Sequence, residues 1–309
     1  MSINRNQLGR GPAIVNYRGA TFFSRDDMVT RHAPVWRAVQ TSMYDEVDKT
    51  KSDLVIRFPI RLWGAWENLA IIFPGYALNP AAGTSVFGVA DQAFSVLGRN
   101  GDQITYANAQ ITKLADLYLG VDAELFAADV EITALLKNAA NPEDAGAYYS
   151  VATGVAYADN AFSKANFKRV RFTGTWGANA GFTAMAGQKG FHVTWALNLK
   201  PVTVDGYGTV DMTVSGLIGT CKCIPVGPSL AQLEAAANAQ GSAHGSLLSG
   251  GAAADLTLAG AGIAIGLKGA GLMEHGYAFG QEPLRIGEVM WSTTRGFVGG
   301  APQAVATAA

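Results

Sequence analysis

Side chains able to do chemistry are sparse in this 309-residue sequence, and their spacing argues against most of the chemistry they might do. Cys221 and Cys223 are the only cysteines, separated by one residue in a stretch that alternates apolar and polar positions. On a strand, residues i and i+2 point to the same face, so both thiols are expected on one face, reduced and half-buried. A zinc site would need about two more Cys or His ligands, and His32, His192, His244 and His275 stand far from the usual spacing. No cofactor or metal is therefore expected. Asp205, Asp211, Glu131 and Glu282 would be enough for a paired-carboxylate hydrolase, yet nothing in the spacing selects two of them.

The nucleophile elbow G-x-S-x-G, the zinc motif H-E-x-x-H, the phosphate loop G-x-x-x-x-G-K-[ST] and a G-x-G-x-x-G opening a helix are all missing. AGAGIAIGLKGAG (259–271) comes nearest to a phosphate loop, but its glycines alternate with apolar residues and lead into no helix. It reads as a strand where backbones approach closely. Arg169 and Arg171 share one side of KANFKRVRF (164–172), as on a solvated strand face or a salt-bridged edge. The formal net charge of −1 supplies no field that would condense the chain onto phosphate, so a basic nucleic-acid reader is not expected. An enzyme is not expected either.

The elements that must carry these residues are mostly strands. DLVIRFPIRLW (53–63) sets Leu54, Ile56, Phe58, Ile60 and Leu62 on one face, with Pro59 marking an edge or bulge. FHVTWALNLK (191–200) alternates in the same way, with His192 in the polar set. AIVNYRGATFF (13–23) reads as two short strands about Arg18-Gly19, and the charged stretch 24–53 as an arm or long connection. The segment 108–138 has no decisive period, but its β-favouring FAADVEITALL and Gly120 favour strands over helix. Asn141-Pro142-Glu143-Asp144 predicts a short helix through AGAYYSV (145–151). Ser229 and Gln232 form an S-x-x-Q capping box for a second helix near 229–240, with Leu230 and Leu233 as its stripe. A Gly/Ser loop follows (240–251), then strands at DLTLAG, GIAIGLKG and LRIGEVMWSTT, and a disordered tail, 301–309. The fold class expected is mainly β, a β-sandwich or partly closed barrel with one or two short flanking α-helices. Its organisation is an N-terminal arm or extension with short strands (1–53), a β-sandwich domain (54–300) and the tail.

Charged residues make up 15% of the chain, against about 25% in an ordinary soluble domain, and glycine supplies 37 residues. A surface so short of charge favours assembly over a solitary monomer, although a large monomeric β-protein would share the composition. MSINRNQLGRGP has no apolar stretch behind it, and the longest apolar window, 256–273, is broken by glycines and Lys268. The expectation is a chain made and first used in soluble form.

One hairpin stands out. KPVTVDGYGTVDMTVSGLIGTCKCIP (200–225) alternates on both sides of an Asp-Gly turn, with Val210, Met212 and Val214 on an apolar, inward-packing face and Thr209, Asp211 and Thr213 on the other.

VTVDGYGTVDMTVSGLIGTCKCIPVGPSLAQLEAA resembles a segment of the tail tube proteins of long-tailed bacteriophages, as do ITALLKNAANPEDAGAYYSV and LRIGEVMWSTTRGF; together they cover about half the chain. The resemblance implies a virion subunit, assembled in the bacterial host cytoplasm, whose inner sheets join between subunits into stacked hexameric rings that conduct DNA. Implied partners are further copies of itself, tail terminator and baseplate or tip proteins, and the tape measure protein and genomic DNA in the lumen, bound without sequence specificity. Thr209, Asp211 and Thr213 would then face the lumen, where an acidic or neutral wall lets phosphate pass. A head or connector protein of such a virion would share the low charge. A carbohydrate-binding β-sandwich would share the strands, with Trp176 as its best stacking platform.

Overall fold

The computed structural model describes residues 12–24, 35–41, 44–53, 55–74, 83, 85–87, 93–120, 123–136, 149–158, 168–177, 179, 181–205, 208–240, 254–260, 262–280, 285–298 and 301–308. The strands are, in order, β1 (Ala13–Tyr17), β2 (Ala20–Ser24), β3 (Val35–Thr41), β4 (Tyr44–Asp53), β5 (Val55–Gly64), β6 (Phe94–Leu97) and β7 (Gln103–Tyr106). They continue as β8 (Ala109–Leu119), β9 (Phe126–Leu135), β10 (Tyr149–Ala152), β11 (Thr173–Trp176), β12 (Ala186–Gly187), β13 (Phe191–Val204) and β14 (Gly208–Cys223). The last are β15 (Pro225–Val226), β16 (Ala254–Gly260), β17 (Ile263–Ala278), β18 (Arg285–Thr293), β19 (Phe297–Val298), β20 (Ala301–Pro302) and β21 (Ala304–Ala308). A 3-10 helix spans Trp66–Ile72 and one α-helix, α1, spans Leu230–Ala239.

Fifteen strands form one sheet in the order β10-β7-β6-β1-β2-β5-β9-β8-β13-β14-β18-β17-β16-β11, with β21 added beside β17. Every pairing within it is antiparallel. Its two ends, β10 and β11, do not pair with each other, so the sheet does not close into a barrel, and the architecture is mainly β and sandwich-like. Right-handed twist makes so wide a sheet curl over itself, which lets each wing bury its own inner face. In the first wing Phe58 of β5 stacks against Phe94 and Tyr106, from strands that are not its neighbours, at 5.9 and 5.5 Å between ring centroids. In the second, Trp176 of β11 meets Trp291 of β18 edge-on at 6.0 Å, with Phe182 completing the cluster. Removing the buried Trp291 side chain would cost about 3–5 kcal/mol on large-to-small precedent.

Local chemistry explains several elements. Arg18 and Gly19 both take positive φ (50° and 76°), as a two-residue hairpin turn of the type matching strand twist requires, and so join β1 to β2. Ile56, Phe58, Ile60 and Leu62 are buried while Arg57, Pro59 and Arg61 are exposed. Pro59 is tolerated because β9 pairs along the whole of β5, whereas β2 touches it only at Trp63. The stretch 108–138 forms β8 and β9. Glycine-rich 259–271 is indeed a crowded strand region: a Cβ on Gly260 would lie 2.4 Å from the Arg171 carbonyl oxygen. Ser229 caps α1 through a complete capping box with Gln232, and Leu233 is buried.

Of the expected N-terminal extension with short strands, residues 13–24 form β1 and β2 of the main sheet, and β3 and β4 form a hairpin that is a separate two-stranded sheet. Two expectations need correction. The helix expected through 145–151 falls partly on 141–148, outside the described residues, but Tyr149–Ala152 is strand β10, held by pairing to β7. In the tail, residues 304–308 form β21, which pairs with β17 from Ile263↔Ala308 to Leu267↔Ala304; Ala304 fits where Gly219 leaves room, a Cβ there being 3.0 Å from that of Ala304.

Candidate functional site

The hairpin singled out by its alternation is β13–β14, paired from His192↔Lys222 to Val204↔Gly208. Its root lies within the sheet and its tip does not. β8 accompanies β13 only as far as Ala196, and β18 accompanies β14 only from Thr220 onward, so 197–219 run on as a two-stranded ribbon. A ribbon of two strands is not stable by itself, so something must cover one side.

Val210, Met212 and Val214 are buried, on the inward face. The opposite set is divided. Thr209 is buried, because a bulge between Val202 and Thr203 shifts the register and turns it inward, while Asp211 and Thr213 are half-buried. The cover is the segment 83–87. Gly83 N–H donates to the Val214 carbonyl at 2.6 Å and Val86 N–H to the Met212 carbonyl at 2.8 Å, so this segment occupies the outer edge of β14. The Asp211 carboxylate fastens it, accepting from the Ser85 hydroxyl, from Phe87 N–H at 3.1 Å and from Met212 N–H at 2.6 Å.

The outer edge of β13 has no such cover: among the described residues no strand pairs with 197–204 on that side. Across the ribbon Asp211 faces Val202 and Thr213 faces Lys200, whose carbonyl accepts the Thr213 hydroxyl at 3.4 Å. The polar face therefore carries a lysine, and Val202 and Val204 are 37% and 44% exposed.

A second ribbon is formed by the far halves of β17 and β18, paired to Ala278↔Arg285. Met273, His275, Tyr277 and Phe279 alternate along it. Met273 is 54% exposed and Phe279 84%, while His275 leans 3.5 Å from Glu234 of α1. On the solvent side of the sheet a row of charges crosses six strands. Arg61 makes a bidentate pair with Asp129, Asp129 stands opposite Asp116, Asp116 bonds His192 at 3.0 Å, and Lys222, opposite His192, lies 3.9 Å from Glu288. Such exposed pairs contribute about 0–1 kcal/mol each.

The remaining chemistry-bearing residues are dispersed. Cys221 and Cys223 share the inward face and are buried and unbridged. Burial pushes the Cys221 thiol well above its ordinary value, with Cys223 adding to it; burial, then the Glu288 charge, pushes Cys223 up to about 12. Neither is a nucleophile at neutral pH. Glu131 lies on β9 opposite Pro59 and Lys113, and Asp205 at the hairpin turn. His32, His244 and Glu282 lie outside the described residues. Arg169 pairs with Glu124 at 3.3 Å on the surface. Trp176 is wholly buried, its indole N–H donating to the Ala270 carbonyl at 2.9 Å, so it offers no platform to a sugar. Among the described residues no group of three His, Cys, Asp or Glu is placed to hold a metal ion, and no helix is long and apolar enough to cross a membrane. Sequence reasoning missed the 83–87 strap and the role it gives Asp211; partners 124 and 126 residues apart leave no local signal. No protein-family model matches this chain, and no curated protein matches it.

Proposed function

We propose that the chain is a structural virion protein, the subunit of a phage tail tube, in which copies join edge to edge into rings and the rings stack into a conduit for DNA. The observation that carries this reading is the β13–β14 ribbon, which projects from the sheet with the outer edge of 197–204 paired to no strand among the described residues. An open edge with exposed Val202 and Val204 is a template for adding a strand from a neighbouring copy, and a closed ring of copies removes every such edge. The low charged fraction supports the same reading. The second ribbon, with Met273, Tyr277 and Phe279, supplies a contact to the next ring. Tail terminator, tip and tape measure proteins are the further partners, and DNA passes without being read.

Solution mass measurement and negative-stain microscopy at rising concentration test this. Rings or tubes are expected for the natural sequence, and the pair Val202→Lys with Val204→Lys should leave folded monomers. A natural protein that stays monomeric well above micromolar concentration across salt conditions refutes the proposal. Assembly untouched by the paired lysines moves the joining edge elsewhere.

A further inference from the structure

At the fork where β13 parts from β8, the 3-10 helix Trp66–Ile72 and the residues after it close over a small cavity of about 10 Å³. Tyr17, Ile72, Gln110 and Trp195 are among its walls. That volume is on the order of one water-sized sphere. Two of its wall residues carry buried donors that no protein atom satisfies: Gln110 Nε2, on a side chain 1% exposed, and Trp195 Nε1, on a side chain 2% exposed.

The orientation of the Gln110 amide is determined by its neighbours. Tyr17 donates its hydroxyl proton to Gln110 Oε1, and Arg18 Nη2, which can only donate, reaches the same oxygen at 3.0 Å. The oxygen end must therefore face Tyr17 and Arg18, and the amino end must point away from them. Turning the amide over would set its amino group against the Arg18 guanidinium, a donor against a donor. Ile111 N–H in turn donates to the Tyr17 hydroxyl oxygen at 3.4 Å, so of this network only the Gln110 amino group and, on its far side, Arg18 Nη1 are left without a protein partner. Leaving two such donors dry would be costly, and native interiors rarely do so.

We propose that one buried water occupies this cavity and accepts hydrogen bonds from Gln110 Nε2 and Trp195 Nε1. Its own hydrogens are met by carbonyls at the C-terminal end of the 3-10 helix, where Ile71 and Ile72 line the cavity and a helix always has carbonyls to spare. The water thus fastens the 3-10 helix to β8 and β13 at the root of the projecting ribbon, two residues before Leu197 leaves the sheet. This inference does not depend on the proposed function.

The test uses full-length protein labelled with 15N-tryptophan and water-selective NOE and ROE spectra. The Trp195 indole N–H, assigned by its disappearance in Trp195→Phe or, if that variant does not fold, in Trp195→Tyr, should show a cross-peak to water with the sign of a long-lived contact. Trp176 and Trp66, whose indole N–H groups donate to the carbonyls of Ala270 and Ala123, should show none. The absence of a cross-peak at Trp195, or an equal one at Trp176, overturns the proposal. A Trp195 indole resonance that shifts with bromide concentration overturns it in favour of an anion held by the same donors.

Discussion

Asp211 is the residue whose replacement separates two accounts of the hairpin. If its carboxylate fastens the 83–87 segment, Asp211→Ala removes an acceptor from three donors at once: the Ser85 hydroxyl, Phe87 N–H and Met212 N–H. Ser85 can turn to water, but Phe87 is only 2% exposed, so its N–H is left buried without an acceptor. An orphaned buried donor costs about 1–3 kcal/mol, and each hydrogen bond to a charged group contributes about 1.5–3. Discounted for the half-exposed carboxylate, the expected loss is about 3 kcal/mol for Asp211→Ala. Asp211→Asn keeps one carbonyl oxygen and should lose about 1 kcal/mol. At about 2 °C per kcal/mol for a chain of this size, Tm should fall by about 6 °C and 2 °C. Limited proteolysis should show new cleavage near 83–87 in the Ala variant before global unfolding, because the segment keeps its backbone bonds from Gly83 and Val86 but loses the carboxylate that fastens Ser85 and Phe87. An Asp211→Ala protein with unchanged Tm and no new cleavage refutes the reasoning and returns Asp211 to the role of a free wall residue.

The two thiols should be almost inert in the folded protein: with burial pushing Cys223 up to about 12 and Cys221 well above its ordinary value, alkylation by iodoacetamide at pH 8.5 should run about a thousandfold slower than in urea, and a native rate within tenfold of the unfolded one would contradict their burial. Asp255 is held below its ordinary value: its partial burial works the other way, but hydrogen bonds from Lys268 Nζ at 2.8 Å and Gly269 N–H at 2.9 Å, with the lysine charge, outweigh it. Its contribution is therefore present above about pH 4 and lost as pH falls through the folded value, so Asp255→Asn should flatten the acid limb of Tm against pH, and superimposable curves would remove the effect. Truncation before Ala304 uncovers the edge of β17 from Ile263 to Leu267 and should lower Tm by several degrees; an unchanged Tm would mean that β21 adds nothing.

What was legible in the sequence is what depends on neighbours a few residues away. The Ser229–Gln232 box, the alternation from Ile56 to Leu62 and the Arg18-Gly19 turn are local, and each forms as its residues dictate. What was not legible depends on partners far along the chain. Thr209 alternates correctly with Val210 yet is buried with it, because β14 bulges at Val210, opposite the Val202–Thr203 step of β13, and this resets the register. The 301–308 tail has the small, uncharged composition of a disordered end, and only the gap above Gly219 makes alanine the fitting residue there. Pro142 and the acids after it signal a helix, but Tyr149–Ala152 follow the open edge of β7 instead.

The same distinction bears on the proposed conduit, where it decides which strand of the ribbon would meet DNA. β14 supplies the acidic residue and the threonines that suggested a lumen wall, but its edge is taken by 83–87 and Asp211 is occupied in holding that segment. β13 supplies Lys200, Val202 and Val204, which are exposed. If the ribbon faces a DNA path, the surface presented is therefore mostly that of β13, apolar toward the tip, with one lysine nearer the root. A lone lysine beside valines gives phosphate one weak contact rather than a continuous track, which is compatible with passage because affinity for a polyanion grows with the number of charges neutralised together. The residues of β14 then matter to a conduit indirectly, by keeping the ribbon straight enough for β13 to accept its neighbour.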